Sequence, residues 1–248
     1  MLIVNADDFG KTESITNNIV ACFREGRITS TSAMVFMKDS ERAAEVALNR
    51  DLEVGLHLTF DDGYTGPVQP AAVMECQQRT AAFLRSSRYA QIVYNPLLQK
   101  PFEYLYRAQY DEFVRLYRRP PTHINGHHHM HLCSNVLLGN VIPAGLRVRR
   151  SFTFFRGERD FANRLYRSLL DAIVTKRFIS SDMFFAAVPS EPLSVLKNKV
   201  RLAKNYNVEL MVHVSSPQEV DFVMEPSFLE TVQGVSLGTY RDLACRVA

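Results

Sequence analysis

The chain has 248 residues, 46% of them apolar and 22% charged, the composition of an ordinary globular protein able to bury a full core, which excludes a disordered chain. Its formal net charge is only +3, so no basic excess points to a phosphate backbone, and nucleic acid is not expected as a partner. The N-terminus enters an apolar strand with no basic leader, and no apolar run approaches the ~20 residues that cross a bilayer, so a cytoplasmic protein without a transmembrane segment is expected. Cys22, Cys76, Cys133 and Cys245 are scattered without a C-x-x-C pair, and free thiols are expected rather than disulfides or a zinc knot.

The predicted elements alternate between short β-rich runs and helical patterns. A strand at residues 2 to 6 (LIVNA) leads into Asp7-Asp8 and then a helix from about residue 12 to 25, with Thr12 or Ser14 as N-cap and Gly26 as stop. A strand at 30 to 36 and a helix at 39 to 48 precede the strand EVGLHLT at 53 to 59, which carries His57. Residues 61 to 101 fit this pattern least and are expected to make a long excursion over the active-site mouth. A helix at roughly 102 to 118 and a strand at 122 to 126 (THING) then deliver the run His127-His128-His129-Met130-His131. Strands at 146 to 152, 181 to 187 and 208 to 214 are separated by helices at 159 to 177 and 190 to 205, and the last strand ends near His213. Such alternation is the signature of βα units on a parallel sheet. Seven strands in this order predict an α/β fold, a distorted (β/α) barrel, in a single domain spanning 1–248.

Chemistry in such a barrel sits where strands end and loops begin. Asp7-Asp8, His57, the histidine run and His213 all fall at predicted strand ends, so four separated segments are expected to converge on one mouth. A carboxylate and two neutral imidazoles hold a zinc-like ion with open positions for water, and a spare carboxylate beside them can move a proton, the makings of a metal-dependent hydrolase. Each residue also has a structural reading. Asp7-Asp8 can form an Asx turn, and His57 and His213 can be core residues. In an extended segment His127, His129 and His131 share one face, so His129 and His131 are expected to orient ligands or contact substrate, with His123 and His128 structural. Arg149 and Arg150 read equally as surface charge or as groups that bind a product carboxylate or orient Asp7. Lys11 reads as a solvated lysine.

NADDFG at 5 to 10, GLHLT at 55 to 59, NGHHHMHL at 125 to 132 and ELMVH at 209 to 213 together resemble the YdjC-like carbohydrate deacetylases, a family that includes chitooligosaccharide deacetylases and hopanoid-associated members. The resemblance implies a barrel like that of the polysaccharide deacetylases (NodB-like), and hydrolysis of an N-acetyl group from an amino sugar in an oligosaccharide or glycolipid, releasing acetate. It further implies one divalent metal ion (Mg or Zn, with Mn or Co as alternatives) on Asp8, His57 and His127, with Asp7 as general base and His213 as general acid. His129, His131 and Arg150 are carried as substrate or supporting contacts, and a homodimer as one assembly to expect. Val214-Ser215-Ser216 departs from the Pro-Gly that usually comes after the late histidine in that family, which touches the acid role of His213. TFDDGY at 59 to 64 offers a rival register with Asp62, His123 and His127 as ligands, but it leaves NADDFG and GLHLT unexplained. Two further readings stand beside the deacetylase: a metal-dependent phosphoesterase, and a catalytically silent carbohydrate-binding relative.

Overall fold

The structure is a computed structural model that describes residues 1–50, 52–67, 69–155, 157–158 and 160–244. In chain order its elements are β1 (Leu2–Phe9), α1 (Glu13–Arg24), β2 (Ser30–Ala33), α2 (Ser40–Leu48), β3 (Val54–Leu58), α3 (Ala71–Arg85), α4 (Gln99–Tyr117), β4 (Ile124–Gly126), α5 (Ser134–Leu138), α6 (Phe161–Arg177), β5 (Met183–Ala186), α7 (Leu193–Arg201), β6 (Val208–Val212), α8 (Pro217–Met224) and α9 (Pro226–Gln233). Among the described residues the strands make one six-stranded parallel sheet in the order β4-β3-β2-β1-β6-β5, curled into a half-barrel.

Alternation along each strand sets up two interiors. Leu2, Val4 and Ala6 of β1, Val54, Leu56 and Leu58 of β3, and Val208, Leu210 and Val212 of β6 join the main apolar core beneath the helices. The intervening residues point the other way. These include Asn5, Asp7, Ser32, His57, Asn125 and Glu209, all buried, and they give the inner face of the curled sheet a polar lining. A polar group this deep must be hydrogen-bonded or paired.

The expected strand at 146 to 152 is not a strand of the sheet. Val148 bridges Ile124 at the end of β4, and Arg147 bridges Ile179 ahead of β5, one position on each side. The ladder is too short to count as a strand, and the segment spans the opening between the two edge strands. Further along, Thr153 N donates to Phe184 O at 2.8 Å. At the opposite end of the sheet the C-terminal segment closes the floor: Leu2 N donates to Ser236 O and Gly238 N to Leu2 O, while Tyr240 packs with Ile3 and Leu243.

The expected excursion contains α3, which lies against α4. Among its described residues Asp61 and Asp62 come within reach of the histidine run. α1 begins as expected, with Thr12 Oγ1 accepting from Ile15 N. Cys22, Cys76 and Cys133 are free thiols, and burial pushes Cys22 up to about 11 and Cys133 up to about 12; Cys245 lies outside the described residues. Among the described residues no helix is long and apolar enough to cross a membrane.

Candidate metal centre

The two aspartates reach one space because β1 bulges. Its pairing with β2 runs from Ala6↔Thr31 to Phe9↔Ala33, so three steps on β1 match two on β2. The extra residue falls at Asp7-Asp8, and Asp8 takes a left-handed backbone with φ 71°, a conformation aspartate tolerates better than most side chains. A regular strand would have sent the two carboxylates to opposite faces.

Asp8 Oδ1 lies 3.3 Å from His57 Nε2 and 3.1 Å from His127 Nδ1. Ligand atoms from the three residues fall within 4.8 Å of one another, and all three residues are buried. Asp8 Oδ1 itself is buried without a hydrogen-bond partner. A carboxylate oxygen held against two ring nitrogens without aligned hydrogen bonds suits a shared cation, and the donor set of one carboxylate and two imidazoles suits a divalent metal. Burial pushes the Asp8 carboxyl up, but the His127 and His57 rings beside it outweigh that and hold the group well below the usual carboxylate range.

Supporting contacts aim the two rings. His57 Nδ1 lies 2.8 Å from the Asn125 side-chain amide. With the amide oxygen toward the ring, Nδ1–H donates to it and the Nε2 lone pair faces Asp8, as ligation requires. In the reverse orientation the amide nitrogen donates to His57 Nδ1 and the oxygen accepts from Arg149 Nη2 at 2.9 Å. His127 Nε2 lies 3.3 Å from Lys11 Nζ and 3.6 Å from Asp62 Oδ2. Lys11, expected as a solvated lysine on the first turn, therefore stands at the mouth, 3.9 Å from Asp8 Oδ2, and Asp62 stands behind His127.

Asp7 is gripped from below. Arg149 Nη1 donates to Asp7 Oδ2 at 2.6 Å and Nη2 to Oδ1 at 2.8 Å. Oδ1 also accepts from Asn5 Nδ2 at 2.8 Å and Ser32 Oγ at 3.0 Å, which leaves Oδ2 as the less engaged oxygen. Burial pushes the Asp7 carboxyl up, yet the Arg149 charge, then His57, bring it well below the usual range. His213 lines the same cavity of about 360 Å³, together with Asp7, Asp8, His57 and His127. The unusual Ser215-Ser216 after it is the start of α8: Ser216 Oγ accepts from Glu219 N, and Glu219 Oε2 accepts from Ser216 N at 3.0 Å, a capping box.

The histidine run is not extended. His128 and His129 have φ of 49° and 61°, so the alternation expected of a strand is lost. His128 Nδ1 lies 2.7 Å from Asp61 Oδ2, and this contact raises the imidazole above its ordinary value. His129 lines the cavity and meets the Phe152 ring edge-on at 4.5 Å. His131 turns underneath, with Nε2 3.0 Å from Arg149 O, and burial lowers it to about 3. Arg150 is not brought to the cavity: its guanidinium donates to Asp171 of α6 and to Asp182 O, because adjacent residues on an extended segment face opposite ways and Arg149 takes the inward position. The rival register is excluded, since His123 lies at the barrel floor with its ring stacked on Tyr240 at 3.7 Å. A Cβ at Gly55 would strike that ring at 2.4 Å. Sequence reasoning left Arg149 undecided, missed the Asp61–His128 contact and gave no role to Asn125.

Fold and site define a half-barrel protein with a buried Asp/His/His cluster and a second, arginine-held aspartate beside it. The profile of the YdjC-like protein family matches residues 1–240, and the chain belongs to that family. The chitooligosaccharide deacetylase of Proteus mirabilis is 29% identical over 98% of this chain and 98% of that protein. The chitooligosaccharide deacetylase of Serratia marcescens is 35% identical over 53% of this chain and 51% of its own length. Among solved structures, one described as a cellobiose-phosphate cleavage protein from Enterococcus faecalis aligns with TM-score 0.68 at 20% identity, covering 98% of each chain. The Xyl-CE4 domain of a multidomain xylanase from the hindgut metagenome of Trinervitermes trinervoides aligns with TM-score 0.50 at 7% identity, over 96% of this chain and 86% of that one. Both likenesses speak for the fold.

Proposed function

We propose that this chain, acting as a single domain, is a metal-dependent carbohydrate deacetylase that removes an N-acetyl group from an amino sugar in an oligosaccharide and releases acetate. One observation carries the reading: Asp8 Oδ1 sits buried and without a hydrogen-bond partner between the His57 and His127 nitrogens, with Asp7 alongside. The names of the Proteus and Serratia relatives supply the substrate class.

In this reading Asp8, His57 and His127 hold the cation. Bound there, a divalent ion would acidify a water and polarise the acetyl carbonyl. Asp7 takes the proton of the attacking water on Oδ2, the oxygen with a lone pair left over from Arg149. Arg149 keeps Asp7 ionised and fixes the direction of its carboxylate. An amine leaves poorly unless protonated, and His213, which lines the same cavity, delivers the proton to the sugar nitrogen. Asn125 orients His57 through Nδ1, while Lys11 at 3.3 Å and Asp62 at 3.6 Å face the Nε2 side of the His127 ring.

The test is acetate release from N-acetylated chitooligosaccharides by chelated protein resupplied with Mg, Zn, Mn or Co, run beside a panel of phosphate esters. Acetate without phosphate supports the proposal. Phosphate release alone would point to an esterase, and oligosaccharide binding without turnover to a silent relative.

A further inference from the structure

Below the mouth lies a buried acid that the proposed reaction leaves unused. Glu209 stands on β6 opposite Ile3 of β1 and is fully buried. Its Oε1 accepts from Arg149 Nε at 2.7 Å. Arg149 therefore uses two edges at once: the Nη1/Nη2 fork grips both oxygens of Asp7, and the Nε edge is held by Glu209. The Phe184 ring lies 4.7 Å from the guanidinium carbon. Tyr240, stacked on His123, lies against Glu209 from the floor.

We infer that Glu209 is a positioning residue for Asp7, acting through Arg149, so that the barrel floor sets the aim of the proposed base. An arginine stem is long and has several rotatable bonds, and a bidentate contact alone lets the fork and its carboxylate pivot together. A fixed acceptor on the opposite edge removes that freedom. The planar guanidinium carries the constraint rigidly from Nε to the Nη pair. Small displacements of a reacting group are costly, about a hundredfold in rate for an ångström. The burial of a carboxylate beside an already paired arginine is otherwise hard to account for, because Asp7 alone neutralises that charge and a buried acid carries a large desolvation cost. The inference rests on Asp7 as the base of a deacetylase.

Two substitutions separate reach from charge. Glu209→Gln keeps an oxygen at the distance of Nε and loses the charge; Glu209→Asp keeps the charge and draws the oxygen back by one methylene. If Glu209 positions Asp7, kcat for acetate release stays within about threefold of the parent in Glu209→Gln and falls about tenfold or more in Glu209→Asp. In both, KM and the calorimetric affinity for the activating metal are unchanged. The Arg149 Nε–H resonance, assigned by its loss in Arg149→Lys, stays protected from exchange in Glu209→Gln and loses protection in Glu209→Asp. The opposite order of kcat, or parental kcat in Glu209→Asp, overturns the inference. A parent protein that releases no acetate with any metal defeats the deacetylase reading instead, and the resonance then decides alone whether Glu209 fixes the arginine.

Discussion

Replacing Arg149 with methionine removes the one cation between two buried acids. Arg149 and Glu209 are 0% exposed and Asp7 2%, so neither carboxylate can turn to water when its partner is lost. Breaking a buried pair from one side costs about 3–5 kcal/mol. In a chain of 248 residues that corresponds to a fall in melting temperature of about 6–20 °C, at about 2–4 °C per kcal/mol. The pH dependence gives a sharper signature. In the parent, Arg149 holds the Asp7 carboxyl below its unfolded value, so that group contributes stability above the unfolded pKa and loses it as pH falls through the folded one. In Arg149→Met burial is left uncompensated: it raises the Asp7 carboxyl and lifts Glu209, already raised by burial in the parent, further. The native state then binds more protons than the unfolded chain above about pH 4, and stability falls as pH rises. The deficit relative to the parent should therefore be smaller near about pH 4 than at about pH 7, with a slope of up to about 1.4 kcal/mol per pH unit for each carboxyl. Urea unfolding of both proteins in chelator at several pH values measures it. A deficit under about 1 kcal/mol at neutral pH, or one that grows toward acid, would refute the claim that Arg149 compensates these two charges.

Asp7→Asn should retain metal while acetate release drops about 10²–10⁴-fold, read by calorimetry and an acetate assay on the same preparation. Asp62→Asn should weaken metal binding by about 10–100-fold through the loss of an orienting carboxylate, without abolishing it. His131 is held near 3 by burial, below its unfolded value, so the unfolded chain binds the extra proton and stability declines as pH falls below about 6.5. Between about pH 7 and pH 5 this one group should cost the parent about 2 kcal/mol that His131→Asn does not lose, visible as different slopes of unfolding free energy against pH.

Much of this was legible in the residues. Strand-end positions of Asp8, His57 and His127 follow from period-two patterning and βα alternation, and Thr12 signals the start of α1. The features that escaped depend on local backbone geometry. The bulge at Asp7-Asp8 and the left-handed turns at His128 and His129 have no counterpart in apolar periodicity, so the histidine run read as extended and His131 was sent to the wrong side. Arg149 and Arg150 differ only in register. Leu146 and Val148 belong to the apolar face, which turns Arg149 inward, but its partners Asp7 and Glu209 lie 142 and 60 residues away. α8 carried its own signal in the capping pair of Ser216 and Glu219, three residues apart, which the missing Pro-Gly after His213 overshadowed.

The central claim is that Asp8, His57 and His127 share one divalent ion. Calorimetric titration of chelated protein with Zn or Mn tests it directly. The account predicts a single site per chain in the parent and in Asp7→Asn, and its loss in Asp8→Asn and His57→Asn. Undiminished binding in Asp8→Asn, or none in the parent, would contradict it.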